Sequence, residues 1–395
     1  MNILFLATHF PYPPLKGDKV RAYHQLRLLS KRHKFTLLCF ADKPIPSEDW
    51  DQIAPYCKRI IIVPLSYFRK AINLTKSISS HYPLQTLLYH SPTMKQQLQT
   101  LLHQEQFDVV HVQLARMAPY MESVSHIPRV IDLVDALSLN MGRRFLRERG
   151  LLKLITYLEW QRLRSYERAI CQTYDQVIVV SEQDRSIIGD IPNLHVNPIA
   201  VDLDRLPFST NNRHPKMLVF SGNMGYFPNI NAVHWFVQEV LPRVKLSMPD
   251  IKFFIVGTNP HREIQDLAKK DSSITVTGYV EDIFSYLGKA TVVVVPMRAG
   301  SGMQFKVLEA MACRKPVVAT PYALGGIDAE DGKHLLVAHD AHSFADKVIQ
   351  LLSDVKLQKH LARQARQLVE EKYSWEQSVS QLEEIYDLAI QQRQN

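Results

Sequence analysis

The 395-residue sequence predicts an α/β protein of two domains, each built around a parallel β-sheet. The length is more than one hydrophobic core fills, which favours two domains of about 200 residues each. Short apolar runs alternate with helical patterns from residue 2 onward, as in sheets covered by helices on both faces. The opening order of strand, glycine turn and helix returns after residue 215, in KMLVFSGNMGYFPNINAVHWFVQEVLPRV. We therefore expect domains at 1–205 and 206–374 and a terminal helix at 375–395.

The first domain opens on an apolar strand at 2–8, followed by the turn-rich segment FPYPPLKGDKVR and a helix at 20–31. Further apolar runs predict strands at 35–40, 59–63, 109–112, 130–133 and 176–180. The segments between these strands have helical patterns, so the strands should be parallel. A polar stretch with prolines at 198, 207 and 215 indicates the linker between the domains.

A long, basic and amphipathic stretch, GRRFLRERGLLKLITYLEWQRLRSYER, occupies residues 142–168. The apolar side chains that can line one side of a helix there are Leu151, Leu154, Ile155, Leu158 and Leu163. The favoured interpretation is a surface helix whose apolar stripe packs on its own domain. The alternative is an interfacial helix that lies on an anionic bilayer.

Strands of the second domain are predicted at 218–221, 251–256, 274–277, 292–295 and 316–319, with an edge strand at 334–338. Helices fit 262–269, 283–289, 341–371 with a break, and 375–391. A glycine follows several strands directly, as at Gly222, Gly257 and Gly278. Because ligands of open α/β sheets bind beyond the carboxyl ends of strands, we expect these loops to converge on one crevice.

The segment VVVVPMRAGSGMQFKVLEAMACRKPVVAT has the pattern of a strand, a glycine loop, a helix and a second strand. Ser301 followed by Gln304 matches a capping box, which predicts a helix that starts at Gly302 or Met303. Lys306 would then lie near the positive end of the helix dipole. A cation is disfavoured there by about 0.3–1 kcal/mol unless an anion binds.

Several groups of this segment can surround a phosphate or diphosphate. They are the amides from Gly300 to Met303, the helix N-terminus and the cations Arg298 and Lys306. Glu309, about one turn past Lys306, can accept hydrogen bonds from sugar hydroxyls. The alternative is an ordinary helix, because loop glycines and a Lys/Glu pair at this spacing are common.

The composition narrows the class of partner. The net charge of +8 favours anionic partners such as nucleotides or lipid head groups, and no basic motif with interleaved aromatic residues indicates nucleic acid. The four cysteines have no CxxC spacing, so we expect neither a metal site nor a disulfide framework, and a cytoplasmic protein. No apolar run is long enough to predict a membrane-spanning helix.

Seven segments follow one another in a recognisable order: FPYPPLKGDKVRAYH, FDVVHVQ, VIVVSEQD, VFSGNMGYFPNINAV, ITVTGYVEDI, VVVPMRAGSGMQFKVLEAMACRKPVVAT and KYSWEQSVSQLEEIY. In this order the chain resembles the retaining family 4 glycosyltransferases of GT-B fold, most of all bacterial sugar transferases of polysaccharide, exopolysaccharide and capsule clusters. The resemblance covers nearly the whole chain and is strongest at 218–320. It implies two facing Rossmann-like domains with parallel sheets and a C-terminal helix that crosses back to the first domain.

The resemblance also implies that a nucleoside diphosphate sugar binds mainly to the second domain and the acceptor mainly to the first, without a metal or other cofactor. Glu309 matches the glutamate that holds the ribose hydroxyls in the family. Tyr279 and Val280 match the segment whose backbone borders the base. Gly17 and Arg21 match the loop that closes over the diphosphate and the acceptor.

The sequence departs from the family pattern on the donor side. Ser301 stands where the family has a glutamate, so Ser301 and the amides of Gly302 and Met303 are expected to take over a donor-sugar contact. After Gly222, Asn223 stands at the usual arginine, and residues 228–229 lie near the usual lysine. Arg298 and Lys306 are the natural replacements for this diphosphate clamp.

The acceptor side departs as well. Gln113 replaces a histidine often found after the strand at 109–112, and His111 lies two residues earlier. Asp135 falls where the family often places a polar residue near the cleft. Either Asp18 or Asp135 could orient the acceptor.

These matches predict an enzyme that transfers a sugar from a nucleoside diphosphate sugar to a hydroxyl of a glycan or lipid-linked acceptor, with retention at the anomeric carbon. Lys306 and Arg298 would stabilise the leaving diphosphate. Two alternatives stay open: a nucleotide-sugar epimerase of the same fold, and a nucleotide-sugar-binding protein without activity. A peripheral position at the inner face of the plasma membrane is a further alternative for its location.

Overall fold

The computed structural model describes residues 1–65, 73, 80, 82–203, 216–299 and 303–394. The chain divides into two compact units. Unit 1 consists of Met1–Pro198 and Ser378–Asn395, and unit 2 of Ile199–Gln377. The division therefore falls a few residues before the expected boundary at 205, and the last segment of the chain belongs to unit 1.

Unit 1 is built on a seven-stranded parallel sheet in the order β3-β2-β1-β4-β5-β6-β7. The strands are β1 (Asn2–Ala7), β2 (Lys34–Ala41), β3 (Arg59–Pro64), β4 (Val109–Gln113), β5 (Arg129–Val134), β6 (Gln176–Val179) and β7 (Leu194–Val196). The central strands are nearly continuous apolar runs because helices cover both faces of the sheet. All strands predicted for this domain are confirmed, and β7 is an addition that its short, mixed sequence did not indicate.

The helices of unit 1 connect these parallel strands. They are α1 (Gly17–Leu29), α2 (Ser47–Asp51), α3 (Leu84–Leu87), α4 (Pro92–Gln104), α5 (Leu137–Arg147), α6 (Gly150–Thr173) and α7 (Glu182–Ile188), with 3-10 turns at Ala54–Tyr56 and Ala115–Met121. Local sequence sets several of their starts. Ser91, for example, accepts a hydrogen bond from the Met94 amide, and Pro92 occupies the first helical position of α4.

Unit 2 is built on a six-stranded parallel sheet in the order β10-β9-β8-β11-β12-β13. The strands are β8 (Met217–Ser221), β9 (Lys252–Val256), β10 (Ile274–Gly278), β11 (Val292–Val295), β12 (Val317–Ala319) and β13 (Leu336–Val337). The predicted strands are confirmed, including β13 at the edge. In this order β8 lies between β9 and β11, so the direction of strand addition reverses beside β8.

The helices of unit 2 are α8 (Phe227–Trp235), α9 (Leu241–Ser247), α10 (Arg262–Lys270), α11 (Ile283–Lys289), α12 (Phe305–Ala312), α13 (Pro321–Leu324), α14 (Ala341–Ser353) and α15 (Val355–Lys372), with a π-helical turn at Phe236–Val240 between α8 and α9. The break predicted within 341–371 is confirmed at Asp354, whose carboxylate caps α15 through the amides of Lys356 and Leu357.

The terminal helix α16 (Trp375–Gln394) returns to the first unit from Ser378 onward. Its apolar residues Leu382, Ile385 and Tyr386 lie in one hydrophobic cluster with Phe5 of β1 and Phe35 of β2. The resemblance implied this return, and the architecture of two Rossmann-like units with parallel sheets is confirmed.

The basic stretch at 142–168 forms parts of two helices rather than one. Helix α5 ends at Arg147 and α6 begins at Gly150, and the two pack against each other as a hairpin. Gly150 has φ +60, which turns the chain at the break.

Most leucines of this stretch are exposed, so the interpretation of an apolar stripe packed on its own domain is wrong for most of the stretch. Thr156, Glu159 and Leu163 share the buried face of α6. Only Leu163 of the predicted stripe belongs to that buried face. The other members of the stripe lie on a different side of α6 and are exposed. We call the exposed set the hairpin face: Leu146, Leu151, Leu154, Ile155 and Leu158. In the part of the chain that the structure describes, no helix is long and apolar enough to cross a membrane.

Candidate functional site

The carboxyl ends of β8, β9 and β11 form the floor of the candidate site in unit 2. Gly222 follows β8, Gly257 follows β9 and Met297 lies just beyond β11. The Thr320 hydroxyl donates to the Met297 carbonyl and so fixes the loop after β11 to the end of β12. This edge, beside the point where the strand order reverses, is where open α/β sheets bind ligands.

Two glycines allow the loops after β8 and β9 to touch. Gly222 has φ +156 and Gly257 has φ +143, conformations that L side chains rarely adopt. A Cβ atom on Gly257 would collide with the Gly222 carbonyl oxygen. A Cβ atom on Gly222 would lie 2.8 Å from Asn229 Nδ2 and 3.2 Å from Lys306 Nζ. A larger residue at Gly222 would therefore displace the asparagine and lysine side chains, and one at Gly257 would displace the Gly222 backbone.

Lys306 lies in the first turn of α12, and its ammonium group is buried at this edge. The residue is only 8% exposed. Its Nζ donates to Asn229 Oδ1 at 2.6 Å, lies 3.7 Å from Met297 Sδ and sits 4.6 Å from the centre of the Phe220 ring. Burial lowers the pKa of Lys306 to about 7, against the opposing effect of Glu309. These contacts fit the predicted anion site.

Asn229 completes this arrangement from the first turn of α8. Its Nδ2 donates to the Asn223 carbonyl at 2.9 Å, and Asn223 Oδ1 accepts from the Gly225 amide at 2.9 Å. The sequence pattern places Asn229 near the position of the missing family lysine and does not predict its contact with Lys306. The available signal was a polar residue directly after Pro228, at the start of a helix that is mostly apolar.

Glu309 lies one turn after Lys306 on α12 and is half-buried. Burial raises the pKa of this carboxyl, and the Lys306 ammonium lowers it. At the edge of the sheet next to β9, Gly278 ends β10 with φ +71. Tyr279 follows with 70% of its surface exposed. Val280 after it is half-buried. An exposed aromatic ring beside a strand end can border a planar base.

Arg298 is exposed in the loop after β11, and its guanidinium carbon lies 5.5 Å from the centre of the Trp235 ring on α8. Such stacking holds the side chain by a cation–π contact. The structure thus places Arg298 on an aromatic ring of α8, whereas Lys306 points into the glycine-lined edge.

Helix α12 starts later than predicted. It begins at Phe305 with Gln304 as N-cap, and the Gln304 side chain makes no capping hydrogen bond. Met303 is buried, and Gln304 has extended backbone angles, so the chain is anchored in the core before the helix begins. The predicted start at Gly302 or Met303 is therefore wrong. The predicted donor-site residues Gly300, Ser301 and Gly302 lie outside the described residues.

In unit 1 the predicted acceptor-side residues meet in part, at the carboxyl ends of β1 and β4. Asp18, next to Gly17 at the start of α1, accepts from His9 Nδ1 at 3.1 Å. Gln113 Nε2 donates to the Asp18 carbonyl at 2.9 Å, which fixes the start of α1 to β4. Burial raises the pKa of Asp18, but the hydrogen bond and charge of His9, together with the Lys19 amide and the charge of Arg116, lower it overall.

Two acceptor-side predictions are wrong because their side chains lie in the core of unit 1. Arg21 is 0% exposed, and its guanidinium bonds Asp132 at 2.5 Å, Asn197 at 2.9 Å and the Pro198 carbonyl at 3.1 Å. His111 is also 0% exposed. Burial lowers the pKa of His111 to about 4, and its ring stacks on Phe5 and contacts the Tyr386 hydroxyl at 2.9 Å.

Asp135 follows the end of β5 and remains a candidate for the acceptor side. The preceding Val134 has φ +65, an unusual value for a β-branched residue. Burial, followed by the nearby Asp184, raises the pKa of Asp135 to about 7. Its Oδ1 is buried without a partner in the described part of the chain. Within the same residues, no group of three His, Cys, Asp or Glu side chains could hold a metal ion.

Comparison with known proteins agrees with this geometry. Residues 17–205 match the profile described as Glycosyltransferase Family 4, and residues 215–354 match the profile described as Glycosyl transferases group 1. The chain is 23% identical over 392 residues to an uncharacterised 44.6 kDa protein in the cps region of Klebsiella pneumoniae, a match that spans 94% of this chain and 96% of the relative.

Two solved structures show the same fold. Sucrose-phosphate synthase from Thermosynechococcus elongatus superposes with a TM-score of 0.73 at 17% identity over 98% of both chains. Anabaena HepE, solved in complex with UDP and glucose, superposes with a TM-score of 0.67 at 15% identity over 97% of this chain and 98% of its own. With a family 4 domain followed by a group 1 domain, the chain belongs to the glycosyltransferases of GT-B fold.

Proposed function

We propose that this glycosyltransferase transfers a sugar from a nucleoside diphosphate sugar to an acceptor hydroxyl with retention at the anomeric carbon. The observation that supports this proposal is the buried ammonium of Lys306 at the positive end of α12, beside glycine backbone and uncharged side chains. A buried cation in such a place is stabilised by a bound anion, and a diphosphate is the anion that such a donor supplies.

The proposed chemistry needs positive potential more than it needs acids and bases. The bond between the anomeric carbon and the diphosphate oxygen breaks, and its electron pair stays on that oxygen. The acceptor oxygen forms the new bond to the anomeric carbon, and its proton passes to the diphosphate or to solvent. Lys306 lies where a preorganised charge can stabilise the departing diphosphate, with Arg298 and the 300–303 amides in supporting roles.

Other residues at the carboxyl edge of the unit 2 sheet are proposed to make the remaining contacts with the donor. Glu309, one turn from Lys306, is proposed to accept hydrogen bonds from the ribose hydroxyls, and Tyr279 and Val280 to border the base. Gly222 and Asn223 line the diphosphate through their backbone. The proposal requires no metal, because Lys306 and the helix N-terminus supply the positive charge.

The proposed acceptor and the proposed biological role are based on similar proteins. The Klebsiella pneumoniae relative lies in a cps region, and Anabaena HepE was solved with UDP and glucose. We therefore propose a role in bacterial cell-surface polysaccharide assembly, with a glycan or lipid-linked acceptor. Asp18 and Asp135 of unit 1 are the proposed acceptor-side residues.

The hairpin face suggests where in the cell the enzyme works. Leu151, Leu154 and Leu158 are 73%, 55% and 50% exposed, and the exposed Arg149 and Lys153 flank them. An apolar face bordered by cations is complementary to an anionic bilayer surface. We propose that the enzyme works in the cytoplasm as a peripheral protein bound to the membrane through this face.

A nucleotide screen tests the proposed donor site. UDP, GDP, ADP, dTDP and CMP are added to the full chain, and the midpoint of thermal unfolding is measured. At a hundred times its Kd, the cognate nucleotide should stabilise the folded state by about 2.7 kcal/mol. No stabilisation by any of them would contradict the donor site. Lys306→Ala should lower turnover with saturating donor by about two to three orders of magnitude, as does the loss of one oxyanion donor.

A further inference from the structure

We propose that Asn229 is the positioning residue that directs the Lys306 nitrogen without supplying a countercharge, and that donor binding is coupled to the uptake of a proton at Lys306. This inference rests on the proposed function, because the anion in question is the diphosphate of the donor. Neither the sequence patterns nor the comparisons assign a role to Asn229.

The Lys306 nitrogen contacts uncharged groups. In the part of the chain that the structure describes, the groups that contact its Nζ are the amide oxygen of Asn229, the sulfur of Met297 and the Phe220 ring. A carboxylate in the position of Asn229 would neutralise the ammonium. The amide oxygen directs the side chain by a hydrogen bond at 2.6 Å and leaves the charge available to a ligand.

Two hydrogen bonds fix the orientation of the Asn229 side chain. Its Nδ2 donates to the backbone carbonyl of Asn223, so its Oδ1 must face Lys306. The Asn223 side chain in turn accepts from the Gly225 amide, which fixes the loop after β8. Asn229 thus connects the orientation of the Lys306 side chain to the loop after β8. In the proposed function, that loop lines the diphosphate.

The helices and loops around the Lys306 nitrogen differ in the charge that they contribute. Glu309, on the same helix, favours the charged form of Lys306. Helix α8 and the β8 loop contribute the uncharged Asn229 and Asn223, and the β11 loop contributes Met297 and an arginine, Arg298, that stacks on Trp235. Glu309 is therefore the one carboxylate in the described surroundings that supports the charge, and it is itself partly desolvated.

Proton uptake follows from this environment. Burial lowers the pKa of Lys306 to about 7, so at about pH 8 most of the free protein holds a neutral amine. A diphosphate beside the nitrogen favours the ammonium and raises its pKa again. Binding at about pH 8 should therefore take up between about half and one proton from the buffer for each donor bound.

Calorimetry measures this uptake directly. The full chain is titrated at about pH 8 with UDP-glucose, GDP-mannose, ADP-glucose and dTDP-glucose, and the tightest binder is repeated in two buffers of different ionisation enthalpy. These donors have no phosphate group that titrates near this pH, so the uptake belongs to the protein. Lys306→Arg is the matched control: it keeps a positive charge that cannot be lost, and we expect binding with uptake close to zero.

Two variants at Asn229 separate positioning from a merely structural role. Asn229→Asp should leave a paired, permanently charged lysine, so the uptake at about pH 8 should vanish while affinity falls about tenfold or more. Asn229→Ala should lower kcat/KM about tenfold in the wild-type background, and by less than about twofold when Lys306→Ala is already present. Asn231→Ala, on the same helix, is the control variant and should change neither quantity more than about twofold.

The outcomes distinguish the two proposals. Donor binding without proton uptake in the wild-type protein would overturn the coupling and leave the proposed function standing. Equal losses from Asn229→Ala with and without Lys306 would overturn the positioning role. If none of the four donors binds and no sugar is transferred, both the proposed function and this inference are wrong. The wild-type calorimetry decides the coupling even if a variant at 229 fails to fold.

Discussion

Arg21 and Asp132 form a fully buried ion pair in unit 1, and both side chains are 0% exposed. Asp132 also accepts from Gln25 at 3.2 Å and from the Val134 amide at 3.1 Å. The pair connects α1 to β5 and to Asn197 at the end of the first stretch of unit 1. Its position beneath the carboxyl edge indicates that it supports the shape of this edge and does not contact an acceptor.

Asp132→Asn is expected to lower the free energy of unfolding of unit 1 by about 3–5 kcal/mol, because it leaves the buried guanidinium without a counterion. Hydrogen exchange of the β1, β4 and β5 peptides measures this stability. Lys58→Ala, which removes a largely exposed partner of Glu105, is the control and should cost about 1 kcal/mol or less. A loss of similar size in both variants would contradict the prediction.

Glu167 gives unit 1 a pH dependence of the opposite sign to that of a typical surface acid. Burial is the main reason that the pKa of this carboxyl rises from 4.5 to about 7, and Asp184 adds to the effect. The folded state therefore binds the proton more tightly than the unfolded state. The contribution of Glu167 to the free energy of unfolding is fully present below about pH 4.5 and is lost as the pH rises through about 7.

Glu167→Gln should abolish this loss. The glutamine oxygen can still accept from the Ser138 amide, so the fold is retained. We expect unit 1 to be more stable than wild type at about pH 8, by about 1–3 kcal/mol, and little changed near pH 4.5. Urea unfolding across this pH range measures the difference. An equal shift at both ends of the range would mean that the carboxyl does not titrate as described.

The structure places the predicted residues as expected or elsewhere for identifiable reasons. Lys306 was predicted from its place in a helix start, a local feature that the structure retains although the helix begins later. His111 and Arg21 were assigned by their nearness in sequence to strand ends and loops, but side-chain direction and a distant partner decide their burial. Asn229 escaped prediction because its partner is 77 residues away.

At the scale of elements, regular strands were predictable because their apolar runs are continuous, whereas the α5–α6 hairpin was not. Its leucines fit an apolar stripe, yet the side of α6 that packs on unit 1 presents Thr156, Glu159 and Leu163. The Glu159 carboxylate accepts a hydrogen bond from the Leu84 amide at 2.7 Å and so joins α6 to the start of α3. A polar anchor formed by a distant segment decided which face of the helix is buried.

The leucines of the hairpin face are expected to carry the binding to anionic vesicles. The triple variant Leu151→Ser, Leu154→Ser, Leu158→Ser should reduce co-sedimentation with anionic vesicles by about tenfold or more, because each leucine buries apolar surface in the bilayer. Its unfolding free energy should change little, since all three side chains are exposed.

Leu246→Ser is the matched control for the hairpin variant. Leu246 is an 85% exposed leucine of unit 2, outside the hairpin face, and its loss should leave vesicle binding unchanged. Binding of the wild-type protein should also weaken as salt is added, because the flanking cations are screened. Absence of wild-type binding to anionic vesicles at low salt would refute the membrane proposal.

At the scale of the whole molecule, each unit has its own sheet and its own core, and the chain joins them by returning α16 to unit 1. A ligand held by unit 2 alone should therefore stabilise unit 2 and leave the opening of unit 1 unchanged. The cysteines can report on the two units separately. Cys39 and Cys171 are buried in unit 1, and Cys313 is buried in unit 2 next to the C-terminal end of α12.

Thiol labelling with and without the cognate nucleotide tests this independence. Burial raises the pKa of Cys313 and Cys171 to about 12 and that of Cys39 further, so each reacts only when its surroundings open. Nucleotide at a hundred times its Kd should slow the labelling of Cys313 about hundredfold. Cys39 and Cys171 should label at unchanged rates, and the less buried Cys57 serves as the internal reference. The protection of Cys313 should disappear in Lys306→Ala, whereas equal protection of Cys39 would show that the two units open as one.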